Sequence, residues 1–177
     1  MTNDMQAYYT YIFMPCFVIN LFVGFALQPI LVKLSTLWHG KKYRDFLKIS
    51  SIIFIAAIGI SFIIVIAGGL LGCFLLGIVF GVDLMSYQIN LIILLIGGGF
   101  YSLAVICQVI LTIMRHQYST LWGFGVSSII VTLISPILVK HYELMGAAYA
   151  YTISTALLFI ILLLFIVIFY SKEKKNT

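Results

Sequence analysis

The chain has 177 residues, of which 63% are hydrophobic and only 8% are charged. A soluble domain is about 45–50% apolar and about 25% charged, so this chain has too few charged side chains to cover a water-facing surface. Disorder is excluded as well, because it requires low hydrophobicity. The net charge of +5 does not indicate nucleic-acid binding, because the bases cluster at the ends of apolar runs, as membrane anchors do.

Long apolar stretches predict an all-α transmembrane helical bundle. Uninterrupted runs of 20 or more apolar residues are typical of membrane helices, whereas a membrane β-barrel would show short alternating segments. The chain is predicted to form a single domain with five spans, at about residues 8–34, 50–81, 88–114, 118–139 and 144–170. We expect a basic cytoplasmic loop at residues 35–49 and a basic tail at residues 171–177.

The second stretch is longer than a bilayer is thick. It either tilts steeply or ends early and continues along the outer interface. Its glycines include two GxxxG patterns, Gly68 with Gly72 and Gly77 with Gly81. This pattern is typical of faces on which two helices approach closely, so we predict helix–helix packing at both.

The basic residues predict the orientation in the membrane. With the N-terminus outside and the C-terminus in the cytoplasm, nine of the ten bases lie on the cytoplasmic side and only Lys140 lies outside. The positive-inside rule favours this arrangement. An outside N-terminus without a signal peptide leads us to expect further helices upstream.

Motifs of catalysis are missing from the sequence. There is no HExxH, GxSxG or Walker loop, so we predict neither an enzyme nor a bound cofactor. The cysteines lie in apolar stretches and the histidines near span ends, in no metal-binding spacing, and we predict no metal site. These residues are Cys16, Cys73, Cys107, His39, His116 and His141.

Polar residues inside the spans are the candidates for function. Asn20, Gly24 and Gln28 recur every four residues and therefore share one face of the first span. Such stripes either make hydrogen bonds between helices or line a cavity for a hydrophilic substrate, and the sequence leaves both interpretations open. An arginine at a membrane edge favours phosphate binding. The candidate cavity residues are Tyr101, Gln108, Thr112 and Arg115 on the third span and Asn20, Gln28 and Lys33 on the first.

Several stretches in a fixed order carry a family resemblance. They are MPCFVINLFVGFALQPILVKLSTLW, then KYRDFLK, IVFGVDLMSY, ILTIMRHQ and SPILVKHYELMGAAYAYTIS before a last apolar helix and a basic tail. The chain resembles the C-terminal half of bacterial polysaccharide flippases, the Wzx-type members of the multidrug/oligosaccharidyl-lipid/polysaccharide exporter superfamily. The resemblance covers essentially the whole chain and about the last five of the family's usual twelve to fourteen helices.

The resemblance implies a transport function. Members move undecaprenyl-pyrophosphate-linked oligosaccharides across the bacterial cytoplasmic membrane by alternating access. It implies that Arg115, Lys33 and the polar stripes contact this substrate, with membrane lipids and a separate N-terminal half as further partners. An alternative is an inactive truncated remnant or an accessory helical bundle that only packs in the membrane. The membrane part of an ATP-driven exporter is a third hypothesis, which the short loops disfavour.

Overall fold

The chain folds into helices joined by short turns. The structure is a computed structural model that describes residues 3–82 and 84–175, with side chains for residues 6–82 and 84–173. No strand occurs in these ranges, so the predicted all-α fold is confirmed. The elements are α1 (Asn3–His39), α2 (Tyr43–Ala67), a π-helical turn (Gly68–Gly72), α3 (Cys73–Phe80), a 3₁₀ turn (Met85–Tyr87), α4 (Gln88–Ile113) and α5 (Gln117–Lys175).

Four helices, rather than the predicted five, are long and apolar enough to cross a membrane. They are Gln6–His39, Tyr43–Phe80, Met85–Ile113 and Gln117–Glu173. The predicted spans 118–139 and 144–170 both fall within α5, which is 59 residues long. Four such helices are consistent with a multi-pass membrane protein.

The element α5 consists of two helical arms that run antiparallel and meet at Glu143. Glu143 is not helical, with φ 49° and ψ −119°. Ser127 precedes Glu143 and Ser154 follows it, and the Ser127 hydroxyl donates a hydrogen bond to the Ser154 carbonyl over 3.0 Å. A straight helix would place these two residues about 40 Å apart. The two predicted spans therefore correspond to an N-terminal arm (residues 117–142) and a C-terminal arm (residues 144–175).

The predicted cytoplasmic loop at residues 35–49 is mostly helical, which corrects the sequence prediction. α1 continues to His39 and α2 begins at Tyr43. The turn between them is a Schellman motif, in which the Lys41 N–H donates to the Trp38 carbonyl and the Lys42 N–H to the Leu37 carbonyl. The Trp38 and Phe46 rings are buried with centroids 5.0 Å apart. This apolar contact explains why the helices extend beyond the uninterrupted apolar runs.

The two GxxxG patterns of the second span behave differently. Gly68 and Gly72 lie against the side chains of Leu95 and Leu91, which confirms the predicted packing of that pair. The second pattern ends α3 instead, because Gly81 adopts a left-handed conformation (φ 67°) and donates its N–H to the Gly77 carbonyl. That pair forms a helix cap, and the packing predicted for it is wrong.

The central helix of the bundle is α4. Fifteen of its 26 residues are buried, against four of 25 in α2. Three consecutive glycines each let a different helix approach it closely. A Cβ added to Gly97 would lie 2.8 Å from Thr152 Oγ1 of α5, one on Gly98 3.3 Å from Cys16 Cβ of α1, and one on Gly99 3.2 Å from Ser61 Cβ of α2.

Candidate functional site

A series of cavities follows the stripe of candidate residues on α4 and the turn after it, which consists of Tyr101, Gln108, Thr112 and Arg115. We name each after one lining residue. The Arg115 groove is about 560 Å³, the Thr120 pocket about 400 Å³ and the Tyr101 pocket about 280 Å³. The Arg115 groove and the Thr120 pocket share Thr112 and Gln117 in their walls, so the two spaces lie next to each other.

The Arg115 groove lies where the ends of α1 and α4 meet the start of α5. Its wall contains hydroxyl, amide and imidazole groups together with one permanent cation, and Arg115 itself is exposed. Such a mixture suits an anionic or strongly hydrogen-bonding ligand better than a lipid tail. The polar lining residues are Ser35, Thr36 and His39 from α1, Thr112 from the end of α4, Arg115 from the turn after it, and Gln117 from α5.

The backbone of the turn after α4 sets the position of Arg115. Its φ is +63°, and the turn is a Schellman motif in which the Arg115 N–H donates to the Thr112 carbonyl and the His116 N–H to the Leu111 carbonyl. The His116 ring stacks on Phe169 of the C-terminal arm, with the centroids 3.8 Å apart. The turn is therefore fixed by backbone bonds on one side and a ring contact on the other.

The Thr120 pocket contains the next two residues of the predicted stripe. Gln108 and Thr112 both line it, and the Thr112 hydroxyl donates to the Gln108 carbonyl over 2.9 Å. Thr120 is buried, and its hydroxyl has no hydrogen-bond partner within the described residues. Gln108 thus lines the Thr120 pocket, Arg115 lines the Arg115 groove, and Thr112 lines both.

Tyr101 lies apart from the other three stripe residues. It lines its own pocket, among the hydroxyl groups of Ser127, Ser128, Thr132 and Ser154 on the two arms of α5. This pocket shares no lining residue with the Thr120 pocket. These candidate residues therefore line three polar spaces rather than a single one.

Asn20 joins two helices by a hydrogen bond and does not line any of the three cavities named above. The Ser102 hydroxyl of α4 donates to its side-chain oxygen over 2.9 Å, and the Asn20 amide group donates to the Cys16 carbonyl over 3.4 Å. Of the two interpretations that the sequence left open, the structure has the interhelical hydrogen bond at this position.

Gln28 and Lys33 are both exposed, and neither lines the three cavities named above. Gln28 precedes Leu31 and Val32 of the Arg115 groove by one turn, so it lies on the same face of α1. Lys33 is three residues before Thr36 of the groove, about 60° from it around the helix, so it lies at the edge of this face. Gln28 extends the middle of the groove face, whereas Lys33 borders it.

The sequence prediction missed several lining residues. Ser35, Thr36 and His39 fall in the segment that was predicted as a loop, and their helical periodicity with Gln28 is the signal that identifies them. Thr120 stands near the start of α5, and its burial depends on contacts that the sequence does not reveal.

The three cysteines lie in the core. Cys16, Cys73 and Cys107 are buried and form no disulfide with one another, and the Cys16 thiol donates to the Leu94 carbonyl over 3.2 Å. Among the residues that the structure describes, no three His, Cys, Asp or Glu side chains come together as a metal site would require.

No protein-family model, no curated protein and no solved structure matches this chain. The chemistry of the site therefore rests on its geometry: a cation, amides and hydroxyls line adjacent cavities in a bundle of apolar helices.

Proposed function

We propose that this chain is the C-terminal portion of an integral membrane flippase. It translocates a lipid-linked oligosaccharide of the undecaprenyl-pyrophosphate type across the bacterial cytoplasmic membrane by alternating access. The observation that carries the proposal is the adjacency of the Arg115 groove and the Thr120 pocket, which share Thr112 and Gln117 in their walls. A cationic site next to a neutral hydrogen-bonding site matches a ligand with an anionic phosphate group beside a sugar.

The chemistry of Arg115 supports a phosphate ligand. A guanidinium binds two phosphate oxygens at once through parallel N–H groups, in a geometry that an ammonium cannot copy. Polar side chains within a membrane bundle are costly unless they have partners or face a watery space. The hydroxyls and amides beyond Arg115 are suited to the many hydroxyl groups of a glycan.

The arrangement of the bases supports an orientation with the C-terminus in the cytoplasm. The Arg115 groove is lined by the ends of both α1 and α4, so the turns that carry Lys41 and Arg115 lie at the same end of the bundle. The contact of His116 with Phe169 brings the end of the C-terminal arm there too. Bases gathered at one end favour that end as the cytoplasmic one.

We further propose that a second helical bundle, a separate N-terminal half, completes the transport cavity. Of the N-terminal arm of α5, only Thr120, Gly123 and Ser127 are buried in this chain. This arm also lines the open Thr120 pocket and Tyr101 pocket. A facing bundle would cover this arm and close the cavities that this chain leaves open.

The test is Arg115→Lys in a complete, active assembly, made by co-expressing the chain with the N-terminal half of a related flippase in cells that lack their own. We expect export to fall about tenfold, the worth of a charged hydrogen bond, with normal protein level and insertion. Arg44→Lys is the matched control, because Arg44 is an exposed arginine on α2 outside these cavities, and export should not change.

The same assay separates the competing hypotheses. Export that matches the parent with Arg115→Lys would mean that Arg115 only anchors the helix end. We expect no export from the 177 residues alone, and full rescue by them would contradict the need for a second bundle. An accessory or inactive bundle would give no export in any combination.

A further inference from the structure

The Tyr101 pocket lies at the middle of α4 and is rich in hydroxyl groups. Tyr101 stands thirteen residues after Gln88 and twelve before Ile113, the two ends of this helix, which is about 18–20 Å from either end. In a membrane this level is near the centre of the apolar core. The pocket measures about 280 Å³, and seven of its ten lining residues carry a hydroxyl group.

Three of these seven hydroxyl groups are used inside the fold. The Ser127 hydroxyl donates to the Ser154 carbonyl over 3.0 Å, and the Thr132 hydroxyl donates to the Ser128 carbonyl over 2.8 Å. The third is the Thr155 hydroxyl, which lies 3.1 Å from the Tyr151 carbonyl of its own helix. Their protons are therefore not available to another molecule.

The hydroxyl groups of Tyr101, Tyr151 and Ser154 are free and accessible. All three side chains are partly exposed, and their hydroxyls make no hydrogen bond within the described part of the chain. The unpartnered hydroxyls that lack accessible surface belong to other residues, which do not line this pocket. A molecule in the pocket therefore reaches donors and acceptors that the fold does not use.

Free hydroxyls at this depth favour a polar occupant over a lipid tail. A lipid tail would leave them without hydrogen-bond partners, which is costly within a membrane. The described lining residues include no carboxylate to balance a cation and no basic group to balance an anion, and an unpaired charge inside a membrane bundle is expensive. The wall therefore suits an uncharged ligand that carries hydroxyl groups.

Aromatic rings narrow the ligand class further. The rings of Tyr101, Phe124 and Tyr151 line the same pocket as the free hydroxyls. A sugar ring has hydroxyl groups at its rim and an apolar C–H face that packs against such rings. Hydroxyl groups beside aromatic rings, without any charge, are the combination that a neutral sugar requires.

We propose that the Tyr101 pocket binds an uncharged sugar residue of the transported glycan. The inference rests on the proposed function, in which the phosphate lies at Arg115. Thr112, which lines the Arg115 groove, lies eleven residues after Tyr101, about 16 Å along α4. The bound sugar is therefore a residue farther along the glycan than the one attached to the phosphate. The pocket selects neutral glycans over glycans that carry acidic sugars.

The experiment measures the binding of lipid-free sugars to the purified chain in lipid nanodiscs, because all the groups of this site belong to this chain. The probes are neutral disaccharides of glucose, galactose, mannose and N-acetylglucosamine, each paired with a uronic acid counterpart that differs by one carboxylate. We expect at least one neutral disaccharide to bind, and its acidic counterpart to bind about tenfold more weakly, because no basic group balances the carboxylate.

Tyr101→Phe and Ser154→Ala each remove one free hydroxyl. Each variant should weaken the neutral disaccharide about 3- to 10-fold, the worth of one hydrogen bond. Ser154→Ala keeps the carbonyl that accepts the Ser127 hydroxyl. Tyr11→Phe is the matched control, because Tyr11 stacks on Phe80 with the ring centroids 4.2 Å apart and does not line this pocket. It should leave the affinity unchanged.

Stability gives an independent readout. Because neither hydroxyl is bonded within the fold, Tyr101→Phe and Ser154→Ala should leave the melting temperature unchanged. A clear fall would show that the hydroxyl holds the bundle together, and it would overturn the assignment of the pocket. Three binding results would also overturn it: no neutral disaccharide binds, neutral and acidic sugars bind equally, or neither variant weakens binding.

Farnesyl diphosphate separates the failure of this inference from the failure of the proposed function. If it binds and weakens with Arg115→Lys while no neutral disaccharide binds, the phosphate site stands and the sugar site is overturned. If the disaccharides behave as expected but Arg115→Lys does not weaken farnesyl diphosphate, the proposed function fails and the sugar site stands by itself. Binding of neither kind of probe would overturn both.

Discussion

Ser102 of α4 and Asn20 of α1 are joined by a hydrogen bond, in which the Ser102 hydroxyl donates to the Asn20 side-chain oxygen over 2.9 Å. Ser102 is fully buried, and its hydroxyl also lies 3.0 Å from the Gly98 carbonyl. The bond fixes α1 against the central helix at the level where Gly98 meets Cys16. The polar face of α1 thus changes role along its length, from packing at Asn20 to the groove face at Gln28.

This pair predicts coupled losses of stability. Asn20→Ala and Ser102→Ala should each lower the free energy of unfolding by about 1 kcal/mol, as expected for hydrogen bonds between membrane helices. The double variant should lose less than the sum, because one bond is removed in both cases. Unfolding in mixed detergent micelles measures the cycle, and Gln28→Ala, at an exposed position, should have almost no effect. Additive losses would show that the bond contributes nothing.

Arg115→Gly should stabilise the fold while abolishing export. Arg115 has a positive φ at the position of a Schellman motif where glycine is usual, and relief of this conformation is worth about 1 kcal/mol. Thermal unfolding measures the gain, and the export assay measures the loss of the guanidinium. A stability that falls would mean that the Arg115 side chain holds the turn together.

Lys41→Gly is the paired control for that variant. Lys41 occupies the same position of the same motif at the end of α1, with φ 57°. We expect a similar gain in the free energy of unfolding with export unchanged, because Lys41 does not line the Arg115 groove. Loss of export here would indicate that any cation at this end of the bundle matters.

Gly97→Ala should destabilise the bundle by about 1–3 kcal/mol through overpacking. The added Cβ would lie 2.8 Å from Thr152 Oγ1, and this hydroxyl donates to the Ile93 carbonyl over 2.9 Å, so the insertion displaces a bonded group. Gly24→Ala is the matched control, because an added Cβ there meets nothing within 4 Å. Comparing the two melting temperatures tests the close approach. Equal values would contradict it.

The predicted orientation is tested by labelling single cysteines in intact cells with a thiol reagent that does not cross the membrane. Lys42 and Lys174 are predicted to face the cytoplasm, and Lys140 and Asp83 are predicted to face outward. The Lys174 side chain and Asp83 lie outside the described residues. The background should lack Cys16, Cys73 and Cys107, with Cys16→Ser keeping a donor to Leu94. Labelling of Lys42→Cys from outside would reverse the orientation.

Apolar runs are enough to predict helices here, and polar spacing is enough to group Gln108, Thr112 and Arg115. The ends of the helices could not be predicted in this way, because the contact of Trp38 with Phe46 stabilises helical structure within a basic segment. The role of Asn20 also depended on Ser102, which is 82 positions away along the chain. The sequence alone does not reveal such partners, since they meet only after the bundle has formed.

The three glycines of α4 restrict how this bundle can move. Successive residues of a helix point about 100° apart, so Gly97, Gly98 and Gly99 hold α4 against three neighbours at nearly the same depth. Turning α4 by one residue would bring the large side chain of Ile96 or Phe100 into a contact where even a methyl group is crowded. Rotation of α4 about its own axis is therefore costly. Movement of the bundle is easier as a tilt of the neighbouring helices about this level, which displaces the ends of the helices most.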